Sequence, residues 1–157
     1  DGKAVHLLDP DAEWPQAGDE VQGTIDWDAR YRLMRTHTAM HVLCGVVFKE
    51  YGAQVTGGNM GPERARMDFE LEDLSEERVR HIEERCNEVI REGRPVSWRT
   101  LPRESIQEVR VVEIEDLDLQ ADGGTHVRNT SEVGGLKIVG TRSKGKSNKR
   151  LEIEITE

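Results

Sequence analysis

Residues 75–93, SEERVRHIEERCNEVIREG, constrain the fold more than any other stretch, because their apolar residues recur with the period of an α-helix. Ser75 is suited to cap the first turn, Gly93 to end the last turn, and Pro95 to prevent the helix from continuing. The helix is predicted to bury one face, which carries Val79, Ile82, Cys86, Val89 and Ile90.

A second helix is predicted within DARYRLMRTHTAMHVLCGVVFKEYG, residues 28–52. Asp28 and Thr36 are both suitable N-caps, so a short helix could precede the main one, and Gly52 suits the C-terminal end. The apolar stripe comprises Met40, Leu43, Cys44 and Val47. Both cysteines of the chain therefore fall on apolar helix faces, which predicts buried free thiols and a cytoplasmic protein.

Shorter stretches alternate apolar and polar residues, as strands do. Residues 54–72 predict a strand, a glycine-rich turn and a second strand, and four further candidates are PVSWRTL, VRVVEI, GLKIVGTRS and RLEIEIT. The order of elements predicts an α+β fold, in which two main helices pack on one face of an antiparallel sheet as a two-layer sandwich. Residues 1–27 include KAVHLL and EVQGTIDW, which predict part of a small N-terminal β-subdomain ahead of a domain at 28–157.

The charge balance limits the partners of the chain. Its 157 residues suffice for one core, and 31 acidic against 22 basic residues give a net charge of −9. Such a surface repels nucleic acid on average, so RNA binding would require a local basic patch. No apolar run approaches the roughly 18 residues that a membrane helix needs, and no signal peptide is visible.

Two pairs of residues have the spacing of metal ligands. His37 and His41 lie one helical turn apart, so both imidazoles project from one face of the helix. Asp122 and His126 flank two glycines in ADGGTHV, where a curled loop would bring both side chains to one point. Each pair alone also fits a plainer role, half-buried histidines in the first case and a turn in the second. Together they predict one tetrahedral site for zinc.

The combination of THTAMHVL with GGTHVRNTSEVG resembles the editing domain of alanyl-tRNA synthetase and, more closely, the free-standing AlaX trans-editing proteins. TGGNMGPERARMDF and LKIVGTRSKGKSNKRLEI resemble further family segments in the same order, so the likeness covers residues 20–155. It implies a cytoplasmic, metal-dependent deacylase that removes serine, and in some members glycine, from the mischarged tRNA for alanine. Residues 28–157 would then be a metal-binding tRNA editing domain, with no DNA or membrane partner.

The resemblance implies that His37, His41 and His126 are metal ligands, and that Asp122 stands where the family has a cysteine. A carboxylate is a harder ligand than a thiolate and holds zinc less firmly, so the identity of the metal stays open. Cys44 is a rival ligand from the same helix, but at about 1.5 Å per residue it lies about 10 Å along the axis from His37.

A site that selects serine over alanine needs a hydrogen-bond partner for the serine hydroxyl. The candidates within the two motifs are Thr38 and Thr125, and a cap or backbone hydrogen bond is the competing interpretation for each. A predicted substrate loop comprises Thr56, Gly57, Gly58, Asn59 and Arg66. By contrast, His6 and His81 have no partner at ligand spacing and are predicted at the surface.

The segment TRSKGKSNKR is the local basic patch that RNA binding would require. Its glycine and serine residues would let it adapt to phosphates, which anchor RNA without reading its sequence. The plainer alternative is a solvated hairpin loop. The family resemblance favours RNA binding by Arg142, Lys144, Lys146, Lys149 and Arg150.

These expectations combine into an aminoacyl-tRNA deacylase with one zinc ion, acting on seryl- or glycyl-tRNA for alanine. Three alternatives stay open: the excised editing domain of a full alanyl-tRNA synthetase, a metal-free or inactive tRNA-binding module, and a metal-dependent hydrolase of a different ester. Metal content and the release of serine from mischarged tRNA test for the inactive module, and salt-sensitive binding of tRNA would count against the hydrolase of a different ester.

Overall fold

A computed structural model describes residues 5–103 and 106–157. Its elements in chain order are α1 (Trp27–Tyr51), β1 (Val55–Met60), β2 (Arg64–Phe69), α2 (Glu76–Glu92), β3 (Val96–Arg103), β4 (Ile106–Ile114), β5 (Asp118–Ala121), a short 3₁₀ helix (Thr130–Val133), β6 (Gly135–Ser143) and β7 (Lys149–Thr156). The strands of the described residues pair antiparallel. The predicted α+β class is therefore confirmed.

The strands form two sheets where one had been expected. The larger sheet has the order β1-β2-β7-β6, and the smaller has the order β3-β4-β5. Strand β5 was not predicted; it pairs with β4 from Val111 opposite Ala121 to Ile114 opposite Asp118. Sequential strands joined by short connections pair with each other readily, so β3, β4 and β5 complete a sheet of their own.

Helix α1 lies between the two sheets and contacts strands of both. Residues 41–47 are all buried, as expected for a helix that is covered on all sides rather than on one face. A Cβ atom at Gly45 would lie 2.6 Å from the Cγ atom of Leu117, so the turn between β4 and β5 can approach the helix only at a glycine. This position of α1 brings its residues within reach of the smaller sheet.

Helix α2 packs against α1 and β6 and completes the core of the larger sheet. Its caps are those predicted: Ser75 accepts a hydrogen bond from the backbone N–H of Arg78, and Gly93 takes a left-handed conformation with a φ of 68°. The buried face of α2 joins Met67 and Phe69 of β2 in one cluster.

The start of α1 differs from the prediction. Asp26 caps the helix by accepting a hydrogen bond from the backbone N–H of Ala29, so neither Asp28 nor Thr36 is the N-cap, and no separate short helix precedes α1 within residues 5–26. Thr36 lies inside the helix, fully buried, and its hydroxyl accepts a hydrogen bond from the backbone N–H of Glu63. A hydroxyl committed to another element of the fold is not available for capping.

The two strands predicted within residues 1–27 are wrong over the described residues. Residues 5–26 carry no strand and are exposed throughout, and the first two residues of KAVHLL lie outside the described part of the chain. A strand needs a neighbour for its backbone hydrogen bonds, and none of the described strands pairs with this segment. The division of the chain into two domains at residue 27 stays a prediction.

The predicted glycine-rich turn is also placed differently. Gly57 and Gly58 lie within β1, opposite Asp68 and Met67 of β2, and the turn follows at residues 61–63. The turn places Glu63 at a φ of 66°. A break in register next to Gly57 accommodates the glycines at this edge of the sheet.

Both cysteines are buried and free, as predicted. Burial raises the pKa of Cys44 to about 12 and that of Cys86 further, so both are inert thiols at neutral pH. Among the described helices, none combines the length and the apolar character needed to cross a membrane.

Candidate metal centre

Four side chains from distant parts of the sequence meet beside α1. His37 and His41 project from the helix, and Asp122 and His126 come from residues 122–127, here called the ligand loop, which follow directly on β5. One candidate ligand atom of each residue lies within 4.8 Å of the others. Asp122 Oδ2 is 3.3 Å from His37 Nε2 and 3.6 Å from His41 Nε2. The structure therefore brings together the four side chains that were predicted to be ligands.

The chemistry of these groups fits a metal ion. The Nδ1 atom of His37 and both ring nitrogens of His126 are buried and lack a hydrogen-bond partner among the described residues. Buried polar atoms without partners are costly and uncommon, and a cation would accept the free lone pairs. Three imidazoles and one carboxylate are ligands that zinc accepts, so the cluster could hold such an ion.

Charge and burial set the protonation of the cluster. Burial lowers the pKa of His37, and burial together with the neighbouring histidines lowers that of His126 to about 3. Burial opposes the ionisation of Asp122, but a hydrogen bond from the Gly124 backbone and the three histidines hold its pKa below the ordinary value. Neutral imidazoles and an ionised carboxylate are the forms that metal binding requires.

Asp122 shapes the ligand loop as well as contributing to the cluster. Its Oδ1 atom accepts a hydrogen bond of 2.6 Å from the backbone N–H of Gly124, while Oδ2 faces the histidines. Gly124 is required by space rather than by backbone conformation, since a Cβ atom there would lie 2.5 Å from His37 Nδ1. Gly123 has no such neighbour within 4 Å.

Arg110 of β4 holds the ligand loop from the smaller sheet and was not predicted. Its Nη1 atom donates to the backbone carbonyls of Asp122 at 3.2 Å and Gly124 at 2.5 Å. Its guanidinium also lies over the ring of Trp98, 5.1 Å from the centroid. The sequence signal that could have identified Arg110 is its position two residues before Val112. Residues two apart in a strand share a face, so this arginine lies on the same face of β4 as the buried Val112.

Asp118 and Gln120 of β5 hold His41 from the other side and were also not predicted. Asp118 Oδ2 is 2.7 Å from His41 Nδ1, and Gln120 Nε2 donates to both Asp118 oxygens at 2.8 and 3.0 Å. With Nδ1 as the donor to Asp118, His41 Nε2 is the nitrogen that faces Asp122. A carboxylate in this position typically fixes the orientation and tautomer of a metal-binding histidine.

The two threonines predicted to recognise substrate lie in different surroundings. Thr38 is fully buried, donates its hydroxyl proton to the carbonyl of Met34, and accepts from the backbone N–H of Val127. Its hydroxyl therefore joins α1 to the ligand loop, which is the backbone role given above as the competing interpretation. Thr125 is exposed and next to His126, and its recognition of a substrate hydroxyl stays a prediction.

The residues of the predicted substrate loop lie in the larger sheet and point to different parts of the structure. Thr56 accepts a hydrogen bond from the β6–β7 hairpin. Asn59 and Arg66 lie opposite each other and line a groove of about 350 Å³ that contains none of the four clustered residues. Gly58 faces α1, where a Cβ atom would lie 3.2 Å from Met40 Cε. The structure thus brings Gly58 close to the histidine helix, but not the polar members of the loop.

The predicted RNA-binding segment, residues 141–150, forms the end of the β6–β7 hairpin and is here called the basic hairpin. Arg150 donates to Asp68 on β2 at 2.7 and 2.9 Å, and Lys144 donates to the same carboxylate at 2.8 Å. The hydrogen bonds from Arg150, with Lys144, hold the pKa of Asp68 far below its usual range despite burial. Two of the predicted cations therefore fasten the hairpin to β2.

The other cations of the basic hairpin have different environments. Lys149 is 7% exposed, and its ammonium group donates to two backbone carbonyls of the hairpin loop at 2.7 and 3.0 Å. Arg142 and Lys146 are exposed. RNA binding by this hairpin stays a prediction, which concerns its exposed cations most directly.

The remaining candidates lie outside the cluster. Cys44 is 3.8 Å from the sulfur of Met67 and is not among the clustered ligands. His6 is exposed, and His81 is exposed and 3.2 Å from Glu50, so both lie at the surface as predicted.

Comparison with known proteins identifies the family. Residues 109–152 match the sequence family described as Threonyl and Alanyl tRNA synthetase second additional domain. The Alanyl-tRNA editing protein AlaX-M of Methanosarcina acetivorans is 44% identical and aligns with 87% of this chain, which spans 63% of the length of that relative. The Alanine--tRNA ligase of Ignicoccus hospitalis is 43% identical over 88% of this chain, but over only 17% of the ligase.

The AlaX-M protein of Methanosarcina mazei is 41% identical over 96% of this chain and 68% of its own length. Identity at this level over most of both sequences excludes a likeness confined to a short motif. The chain belongs to the AlaX-M family of alanyl-tRNA editing proteins.

Proposed function

We propose that the protein is a metal-dependent deacylase that hydrolyses the ester between a wrong amino acid and the tRNA for alanine. Seryl-tRNA(Ala) is the proposed main substrate and glycyl-tRNA(Ala) the second. The observation that carries this proposal is the cluster of His37, His41, Asp122 and His126 in a chain whose relatives are named alanyl-tRNA editing proteins. Zinc is the proposed ion, because imidazole and carboxylate ligands suit it.

The residues of the chain would prepare the site before substrate arrives. A bound zinc ion would supply Lewis acidity, which polarises an ester carbonyl or makes water more acidic. Asp118 orients His41, and Arg110 fixes the ligand loop through its carbonyls. Since an aminoacyl ester is already labile, correct positioning can supply much of the acceleration. The exposed Thr125 beside His126 is the proposed partner for the serine hydroxyl, which alanine lacks.

The test combines metal content with release of serine from seryl-tRNA(Ala). We expect about one metal ion per chain in the native protein and loss of both metal and activity in His41→Ala, because each ligand of a four-ligand site is needed to hold the ion. His81→Ala is the matched control, since His81 is an exposed histidine that lies outside the cluster and contacts Glu50. Asp122→Cys should tighten zinc binding, as a thiolate is the softer ligand.

The possible results separate the proposal from its alternatives. Full activity in His41→Ala would remove His41 from the site. Serine release by a metal-free protein would assign catalysis to positioning by the polar pocket alone. Neither metal nor serine release in the native chain would favour an inactive tRNA-binding module.

A further inference from the structure

A groove of about 470 Å³ opens beside the cluster and shares His126 with it. It lies between α1, the smaller sheet and residues 125–128. Its apolar lining comprises Met34, Val96, Val112 and Val127, so a ligand that enters it would bury apolar surface next to the candidate metal ligands.

An exposed aromatic residue forms one wall of this groove. Trp98 is 64% exposed although the chain has few aromatic residues, and it stands on β3 opposite Val112. The guanidinium of Arg110 lies over its ring. An exposed indole ring beside an arginine is the kind of surface on which nucleic-acid bases stack, whatever their sequence.

The groove is also positively charged in an otherwise acidic protein. Arg110 and Arg128 both line it, and the net charge of the whole chain is −9. Arg128 is exposed and, within the described part of the chain, forms no ion pair. Its carbonyl accepts a hydrogen bond of 2.8 Å from the backbone N–H of Val96, which anchors it to β3. An exposed, unpaired guanidinium on an anchored backbone suits a phosphate.

We propose that this groove binds the 3′-terminal nucleotide of the aminoacylated RNA, with the base on Trp98 and a phosphate at Arg128. The inference rests on the proposed function, because the ester to be cleaved joins the amino acid to the terminal ribose. An ester held at the cluster leaves the terminal base within one nucleotide of His126, and the groove contains both His126 and Trp98. Three cations of the basic hairpin contact protein groups, whereas Arg128 lies in the same groove as His126 and forms no ion pair among the described residues.

The experiment compares the binding of two uncharged RNAs, the intact tRNA for alanine and the same tRNA lacking its 3′-terminal adenosine. Loss of one stacked base should weaken binding to the native protein by about 5- to 150-fold. Trp98→Ala should bind both RNAs equally, and Trp98→Phe should retain much of the difference. Trp14→Ala is the matched control, because Trp14 is 54% exposed and lies in the segment without strands.

A second variant guards against a folding defect in Trp98→Ala. Arg128→Ala removes only an exposed side chain and should reduce the salt dependence of binding to the intact tRNA by about one phosphate contact. Equal discrimination between the two RNAs by the native protein and Trp98→Ala would overturn the proposal. So would a native protein that binds both RNAs alike.

Kinetics keep this inference distinct from the proposed function. Trp98→Ala should raise the KM for seryl-tRNA(Ala) more than it changes kcat, since a base that takes no part in the reaction is stacked equally in the ground state and the transition state. If the native protein releases serine and the KM of the Trp98→Ala variant is unchanged, the inference about the groove is wrong and the proposed function stands. A native protein that discriminates between the two RNAs but releases no serine would overturn the proposed function alone.

Discussion

The ligand loop and the basic hairpin are both polar, glycine-containing connections, and their residues are used in opposite ways. The ligand loop is held by others: Arg110 binds its carbonyls and Thr38 binds the N–H of Val127. The basic hairpin is held by its own cations, as Arg150 and Lys149 show. When other elements of the fold hold the backbone of a loop, the side chains of that loop are free to bind a ligand. When no other element holds the backbone, the loop's own side chains must stabilise it and are not available for binding.

The largest expected effect concerns the fastening of the basic hairpin. Asp68→Ala should lower the free energy of unfolding more than Glu154→Ala does, because it removes the carboxylate that both Arg150 and Lys144 bind. Glu154→Ala breaks the exposed ion pair with Arg64 and should cost at most about 1 kcal/mol. Urea denaturation of both variants measures the difference; equal stabilities would mean that Asp68 does not fasten the hairpin.

The ion pair between Asp68 and Arg150 also predicts how the stability of the protein depends on pH. The pKa of Asp68 is lower in the folded protein than its ordinary value, chiefly through the Arg150 hydrogen bonds. Its contribution is therefore fully present above the unfolded pKa of about 3.9 and is lost as pH falls through the folded pKa. The stability difference between the native protein and Asp68→Asn should stay constant above about pH 5 and shrink in stronger acid.

The next effect tests whether the ligand loop depends on close packing. Gly124→Ala would place a Cβ atom against His37 and should weaken metal binding by about 100-fold, the upper end of the range for residues that support metal ligands. Gly123→Ala is the control, because a Cβ there meets nothing within 4 Å. Competition with a chelator of known affinity measures both variants. Similar affinities for the two would contradict a steric requirement at residue 124.

The comparison also explains what sequence reasoning could find. His37 and His41 were predictable because helical spacing alone places them on one face. The caps Ser75 and Gly93 of α2 were predictable for the same reason, since their partners lie within the same helix. Asp122 and His126 could be predicted as ligands only in combination with the histidine pair of the helix, because a turn was the favoured interpretation of ADGGTHV taken alone.

The groups that position the ligands were not predictable from local patterns. Arg110 and Asp118 act through partners about 12 or more residues away, and those contacts exist only once β4 pairs with β5. Arg150 and Lys144 were counted as free because Asp68, their shared partner, lies on β2. Two predicted N-terminal strands were wrong because alternation does not supply a pairing partner.

Asp118 allows a sharper test of how the cluster is supported. Asp118→Ala should weaken metal binding by about 10- to 100-fold, because His41 loses the group that fixes its orientation. Asp118→Asn should have a smaller effect, since its amide oxygen can still accept from Nδ1. Glu115→Ala, at an exposed acidic residue of the preceding turn, is the control. Unchanged metal affinity in Asp118→Ala would make this contact purely structural.

The smallest expected effect separates the two groups of cations in the basic hairpin. Lys146→Ala removes an exposed charge whose loss should leave stability unchanged and, if the hairpin contacts phosphates, lower the salt slope of tRNA binding by about one. Lys149→Ala removes the buried ammonium that binds two loop carbonyls, so it should cost stability. Measuring stability and the salt slope of tRNA binding in both variants shows which lysine is available to bind RNA and which one stabilises the loop. A salt slope that Lys146→Ala leaves unchanged would return the hairpin to a structural role and leave RNA binding to the groove at Trp98.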